Sequence, residues 1–212
     1  MSATFKIRRR RFVAAAGVAL SLAAGSALSA PKPKIVTVLG DSITAGYGLP
    51  AAAALPAQLQ KALDKHGAVV VRGAGVSGDT TADGLARVGF SVQKDTAVCV
   101  IALGGNDLLQ GIDPKTTKAN LAQIIQTLKA RHIRIVLAGL TQPGDVGGPY
   151  AREFAAIYPQ LAKQYGVTLY PNLLAGVVLD GRYNQQDGIH PNADGVVIIA
   201  GKLAPVVASA LR

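Results

Sequence analysis

Apolar positions in this chain come as short unbroken runs that alternate with segments of helical period. Ile35-Val36-Thr37-Val38-Leu39, Val69-Val70-Val71, Ala97 to Leu103, Ile133 to Ala138 and Val167 to Tyr170 have the length and β-branched content of buried strands. Between them, Leu55, Leu59, Ala62 and Leu63 fall on one face of a helix predicted over 51–65. A short helix is expected near 80–88. Pro114 opens a longer one to about Arg131, with Leu121, Ile124, Ile125 and Leu128 on its inner face. Two more are expected over 150–165 and from about Asn192 onward, the last packing Val196, Val197, Ile199, Leu203 and Val207. The stretch between Tyr170 and Asn192 is less regular.

Strands alternating with helices predict a parallel sheet covered on both faces by right-handed crossovers. About five strands fit an α/β, flavodoxin-like doubly wound three-layer sandwich in the order 2-1-3-4-5. In such sheets ligands collect at the carboxyl ends of the strands. The unusual polar and glycine-rich segments lie there: 40–44 after the first strand, 73–80 after the second, 104–107 after the third.

The first thirty residues differ from the rest. Lys6 and Arg8 to Arg11 precede an apolar, alanine-rich run from Phe12 to about Leu28, and small residues follow. This is the layout of an export signal, with cleavage expected after Ala27 or Ser29. Arg9-Arg10-Arg11-Phe12-Val13 is twin-arginine-like, although Arg8 stands where Ser or Thr is usual. An uncleaved anchor is the alternative, but about 17 apolar residues are at the short limit for spanning a bilayer. The expected organisation is therefore a signal over 1–30, a linker over 31–34 and one catalytic-size domain over 35–212. Once the signal is removed, no stable membrane insertion is expected, and the product is periplasmic or secreted.

Charge and composition narrow the function. The formal net charge is +10, but five of the 22 basic residues lie in the first eleven positions and no acid precedes Asp41. The remaining 17 basic against 12 acidic residues leave +5 without a basic cluster or aromatic-interleaved stripe, so nucleic-acid binding is not inferred. Half the residues are hydrophobic and only 5% aromatic, so small aliphatics build the core. Cys99 is the single cysteine and lies in a strand pattern, which suits a small core residue and excludes an internal disulfide.

Acyl transfer to a serine needs a hydroxyl, a base, a group that orients the base and donors for the oxyanion. Ser42, at the sharp turn after the first strand, offers the hydroxyl, though Asp41 and Ser42 also suit simple capping of that turn. Of the three histidines, His66 and His132 end predicted helices, whereas His190 lies in an irregular loop three residues after Asp187. That spacing lets Asp187 fix the imidazole tautomer. Asp187 and Asn192 as plain turn and cap residues are the competing account. Gly78 and Asn106, with the amide of Ser42, supply three candidate oxyanion donors, or are turn residues. Leu108 and Leu109 suggest an apolar wall.

These four blocks are Gly40-Asp41-Ser42-Ile43-Thr44, Val76-Ser77-Gly78-Asp79-Thr80, Gly104-Gly105-Asn106-Asp107 and Asp187-Gly188-Ile189-His190-Pro191. In order and spacing they resemble the SGNH, or GDSL-type, serine hydrolases over essentially all of 35–211. Tyr150 to Pro159 and Leu161-Ala162-Lys163 are similar to the thioesterase/lysophospholipase (arylesterase) subgroup. The resemblance implies Ser42 as nucleophile, His190 as base, Asp187 as its orienter, and Ser42, Gly78 and Asn106 as oxyanion donors. It also implies substrate contacts from Gly105, Leu108, Leu109, Asp145 and Val146. Asp145-Val146-Gly147 departs from the Asn-Tyr-Gly often found in that subgroup, so chain-length preference does not carry over.

The expected function is hydrolysis of small carboxylic esters or thioesters of short to medium acyl length, with no metal or organic cofactor. The sequence also leaves open O-deacetylation of a carbohydrate or peptidoglycan. A non-catalytic anion-binding module is a third reading, one that would have no need of Asp187 or His190. The oligomeric state is not legible.

Overall fold

The structure is a computed structural model that describes residues 1–2, 32–140 and 148–212. The signal expected over 1–30 and the loop residues Asp145 and Val146 lie outside the described residues, apart from Met1 and Ser2. Five parallel strands form one sheet: β1 Lys34–Gly40, β2 Val69–Gly75, β3 Thr96–Ala102, β4 Arg134–Ala138 and β5 Thr168–Tyr170. Their order is β2-β1-β3-β4-β5, the expected doubly wound arrangement.

Successive residues on each strand face opposite layers, which divides the core in two. Val36, Val38, Val98, Val100 and Val136 face α2 (Leu55–Leu63) and α7 (Ala193–Ala210). Leu39, Cys99, Ile101, Ile135 and Leu137 face the other way. They pack with residues of α3 (Thr81–Ser91), α5 (Pro114–Ala130) and α6 (Gly148–Tyr165). Two single-turn helices, α1 (Ser42–Ala45) and α4 (Gly105–Leu109), sit directly on the carboxyl ends of β1 and β3.

Leu121, Ile124, Ile125 and Leu128 are fully buried, as the helical period of α5 requires. On α7, Val196, Ile199, Leu203 and Val207 are buried, each contributing about 1.5–3 kcal/mol by leaving water. Val197 does not join them and is 52% exposed, because its neighbour Val196 takes the inward position and one residue turns the helix by about 100°. Among the described residues α7 alone is long and apolar enough to cross a membrane, but its inward stripe belongs to the core.

The helix expected over 51–65 is shorter, starting at Leu55 with Pro56 in its first turn and ending at Leu63, and three other boundaries also differ from expectation. Gly73-Ala74-Gly75 is not a loop: it continues β2, in register with Val38, Leu39 and Gly40. A side chain on Gly75 would lie 2.3 Å from the Ala45 amide, so glycine there lets the strand run under α1. Gly105 to Asp107 form the first turn of α4 instead of an open loop, with the Leu108 amide donating to the Gly104 carbonyl at 3.0 Å. Helix α3 runs on to Ser91, started by a capping box in which Thr80 and Asp83 satisfy each other's backbone amides.

Candidate active site

Strand β1 is buried from Ile35 to its end, and the backbone turns at Asp41 into α1. The turn is tight: a methyl on Gly40 would lie 2.1 Å from Thr44 Oγ1 and 2.9 Å from the Ala102 carbonyl. Asp41 caps the helix, accepting from the Ile43 amide at 3.0 Å. Ser42 is thereby the first helical residue, where an amide has no intrahelical acceptor and points outward from the helix start. The capping account of Asp41 is thus correct, and it is also what presents Ser42.

The histidine comes from a loop closed on itself. Gln185 N donates to the His190 carbonyl and Asn192 N to that of Tyr183, each at 2.8 Å. Asn192 then caps α7, accepting from Gly195 N at 3.0 Å. Inside this loop Asp187 Oδ1 accepts from the amides of Ile189 (2.9 Å) and His190 (3.0 Å). These backbone amides, led by that of His190, and the imidazole itself hold the Asp187 carboxyl down to about 2. An ionised Asp187 keeps the proton on Nδ1, which donates to Oδ2 at 2.6 Å. Nε2 is then left to accept from Ser42 Oγ, 2.9 Å away. The Tyr47 ring lies against the imidazole, with centroids 4.7 Å apart and planes tilted by 37°. Gln185 Nε2 donates to the Tyr47 carbonyl and so joins the two loops.

Ser42, Asp187 and His190 are therefore one hydrogen-bonded chain. Asn106 lies in the first turn of α4 and lines the same cleft. One of its two amide protons goes to the Asp79 carbonyl at 2.8 Å, which orients the carboxamide and leaves the second proton for another acceptor. Gly78 has φ of +90° in the exposed turn after β2 and is not among the residues that line the cleft. Next to Asn106, buried Asp107 faces inward, accepting from Thr81 N at 2.8 Å and Thr117 Oγ1 at 3.1 Å. It ties α4 to α3 and α5.

The cleft above Ser42 has a volume of about 280 Å³. Gly105, Leu108 and Leu109 line it where expected. The opposite wall was not read from the sequence: Leu173, Leu174, Val178 and Leu179 come from the irregular stretch after β5. Their apolar character was the available signal, but without helical or alternating period it named no face. Ala102 and Ala138, the last residues of β3 and β4, also line it. Asp41 faces this space too, and burial is the main force that pushes its carboxyl up to about 6. Cys99 is fully buried in β3, and burial pushes its thiol up to about 12, which makes it a core residue without thiolate chemistry. Among the described residues no group of three or more His, Cys, Asp and Glu side chains is placed to hold a metal ion.

A family model described as the GDSL-like Lipase/Acylhydrolase family matches residues 38–197. Thioesterase 1/protease 1/lysophospholipase L1 of Escherichia coli strain K12 is 40% identical over 168 residues, covering 79% of this chain and 80% of that protein. The arylesterase of Vibrio mimicus is 37% identical over 177 residues, covering 82% and 88%. The crystal structure of TesA superposes with a TM-score of 0.79 at 35% identity, covering 84% of this chain and all of that one.

Proposed function

The chain belongs to the GDSL-like lipase/acylhydrolase family, and from that premise we propose that it is a carboxylic ester hydrolase acting through an acyl-enzyme on Ser42. The observation that carries this reading is the hydrogen-bonded chain from Asp187 through His190 to Ser42, opening into an apolar cleft.

In the first half-reaction Ser42 Oγ attacks the acyl carbon while its proton passes to His190 Nε2. The imidazolium so formed is stabilised by ionised Asp187. Negative charge gathers on the former carbonyl oxygen, next to the amide of Ser42 and the second amide proton of Asn106, with Gly78 as the third candidate donor. His190 returns the proton to the departing alcohol or thiol as the carbon–oxygen or carbon–sulfur bond breaks. Water then repeats the sequence on the acyl-serine: its proton goes to His190, the acid is released and Ser42 recovers its proton.

The cleft supports a reading of the substrate class. Its walls are mainly aliphatic, with Asp41, Asn106 and Asn172 as polar exceptions beside the catalytic serine and histidine, and about 280 Å³ lies just under the range of small-molecule cavities, about 300–1,000 Å³. That favours short to medium acyl groups, as oxygen esters or thioesters, over an acetylated sugar, whose several hydroxyls call for more polar groups than this wall offers. The relatives named for thioesterase, lysophospholipase and arylesterase activity support ester and thioester substrates. Export through the amino-terminal signal, with the mature enzyme in the periplasm or medium, completes the proposal.

Labelling with a fluorophosphonate probe and turnover of a panel of p-nitrophenyl esters, acyl-CoAs, lysophospholipids and acetylated sugars test it. Ser42→Ala is expected to abolish labelling and lower kcat by roughly 10⁴-fold or more with the fold intact. Undiminished labelling of that variant would move the nucleophile elsewhere.

A further inference from the structure

Helix α3 buries Thr81, Gly84 and Val88, and on the same inward side it carries an arginine, Arg87, only 9% exposed. An arginine at such a position must spend its donors on protein groups. Its Nε donates to Asp79 Oδ2 at 2.6 Å, Nη2 to the Gly40 carbonyl at 2.8 Å, and Nη1 to the Ala74 carbonyl at 2.8 Å and Ser91 Oγ at 3.3 Å. Gly40 ends the strand that leads into Ser42. Ala74 is at the end of β2, four residues before Gly78. The main-chain carbonyl of Asp79, the residue whose side chain Arg87 grips, is the group that orients the Asn106 carboxamide.

One guanidinium is thus bonded to the segments that carry Ser42 and Gly78, and through Asp79 it reaches the third candidate oxyanion donor, Asn106. We propose that Arg87 is a positioning residue for the oxyanion pocket, acting on Asn106 through Asp79. The inference rests on the assignment of Asn106 as an oxyanion donor. A buried ion pair adds little net stability over a well-packed apolar pair, so stability alone does not account for this one. What the planar fork adds is geometry: it fixes the Gly40 and Ala74 carbonyls and the Asp79 carboxylate at once, and the point charge of lysine cannot. Such positioning matters because a displacement of about 1 Å in a catalytic group can cost about 10²-fold in rate.

The test is a double-mutant cycle on the purified enzyme with a p-nitrophenyl ester, run well below the melting temperature of every variant. Arg87→Lys keeps a cation opposite Asp79 and is the variant expected to fold. It should lower kcat by about 10- to 10²-fold with KM within about twofold. In an Asn106→Ala background the same substitution should cost no more than about twofold, because the group it positions is gone. Asp79→Asn provides a second entry to the same cycle and should show the same loss of effect. Equal fold-losses in both backgrounds, or an unchanged kcat with only a lowered melting temperature, would overturn the proposal. Normal turnover by Asn106→Ala alone would instead remove the oxyanion assignment, and Arg87's role with it.

Discussion

Replacing Asp41 by asparagine isolates the energetic cost of the turn that presents Ser42. Asp41 is 5% exposed, and burial raises its carboxyl from 3.8 to about 6, against the opposing pull of the Ile43 amide and His190. A raised acid means that the folded state disfavours the carboxylate. Below pH 3.8 both states hold the proton and nothing is lost. Between about 3.8 and 6 the unfolded chain has released its proton while the folded one keeps it, so wild-type stability falls as pH rises. Above about 6 the loss is complete, roughly two pH units at about 1.4 kcal/mol each, or about 3 kcal/mol. Asparagine keeps a carbonyl oxygen for the Ile43 amide, so the cap survives, and it carries no charge to desolvate. Asp41→Asn should therefore match or trail the wild type at pH 3.5 and exceed it by about 3 kcal/mol at pH 8. For a domain of this size that corresponds to a melting temperature higher by on the order of 10 °C. Urea unfolding of both proteins from pH 3.5 to 8 reads the difference directly, because the two proteins differ in a single titratable group. A difference that stays flat across that range, or grows as pH falls, would refute the argument.

Other substitutions probe the chemistry. Asn106→Ala should lower kcat by about 10²–10³-fold with KM little changed, and the nearly isosteric Asn106→Asp should do at least as much damage, since a carboxylate cannot donate to an oxyanion. Near-normal turnover by the Asp variant would remove Asn106 from the site. Asp187→Asn turns an amide N–H toward Nδ1 and drives the proton to Nε2, so kcat should fall by about 10³–10⁴-fold while fluorophosphonate labelling slows in parallel; a loss in KM alone would contradict it. For export, intact mass of the extracytoplasmic protein should begin at Leu28 or Ala30. Replacing Arg9 and Arg10 by lysine should block translocation if the twin-arginine route is used, and normal export would point to the general secretory route.

Much of the architecture was legible because it depends on local regularities. Unbroken apolar runs separated by helical periods leave little choice but a parallel sheet with two covered faces, and five strands fit the flavodoxin-like order. The pairing of Asp187 with His190 is legible for a similar reason: three residues and a loop bring carboxylate to imidazole without help from the rest of the fold. Where glycine decided the local structure, the sequence was ambiguous. Gly73 to Gly75 look like a loop, yet an edge strand paired on one side tolerates them, and close contact with α1 demands one of them.

Relations between segments far apart in the chain were decided only by tertiary structure. Tyr47 meets the His190 ring, and Ser42 meets its Nε2, across more than 140 positions. Leu173, Leu174, Val178 and Leu179 become a cleft wall only because β5 ends beside β4 and delivers them opposite Leu108. Arg87 acquires its partners only when Gly40, Ala74 and Asp79 close around it. Asp41 reads as an ordinary cap until burial makes its ionisation costly. Hydrophobic period records which side of an element turns inward, a property of each segment by itself. Desolvation and hydrogen-bond pairing depend on what arrives from elsewhere, and that is settled only when the layers close.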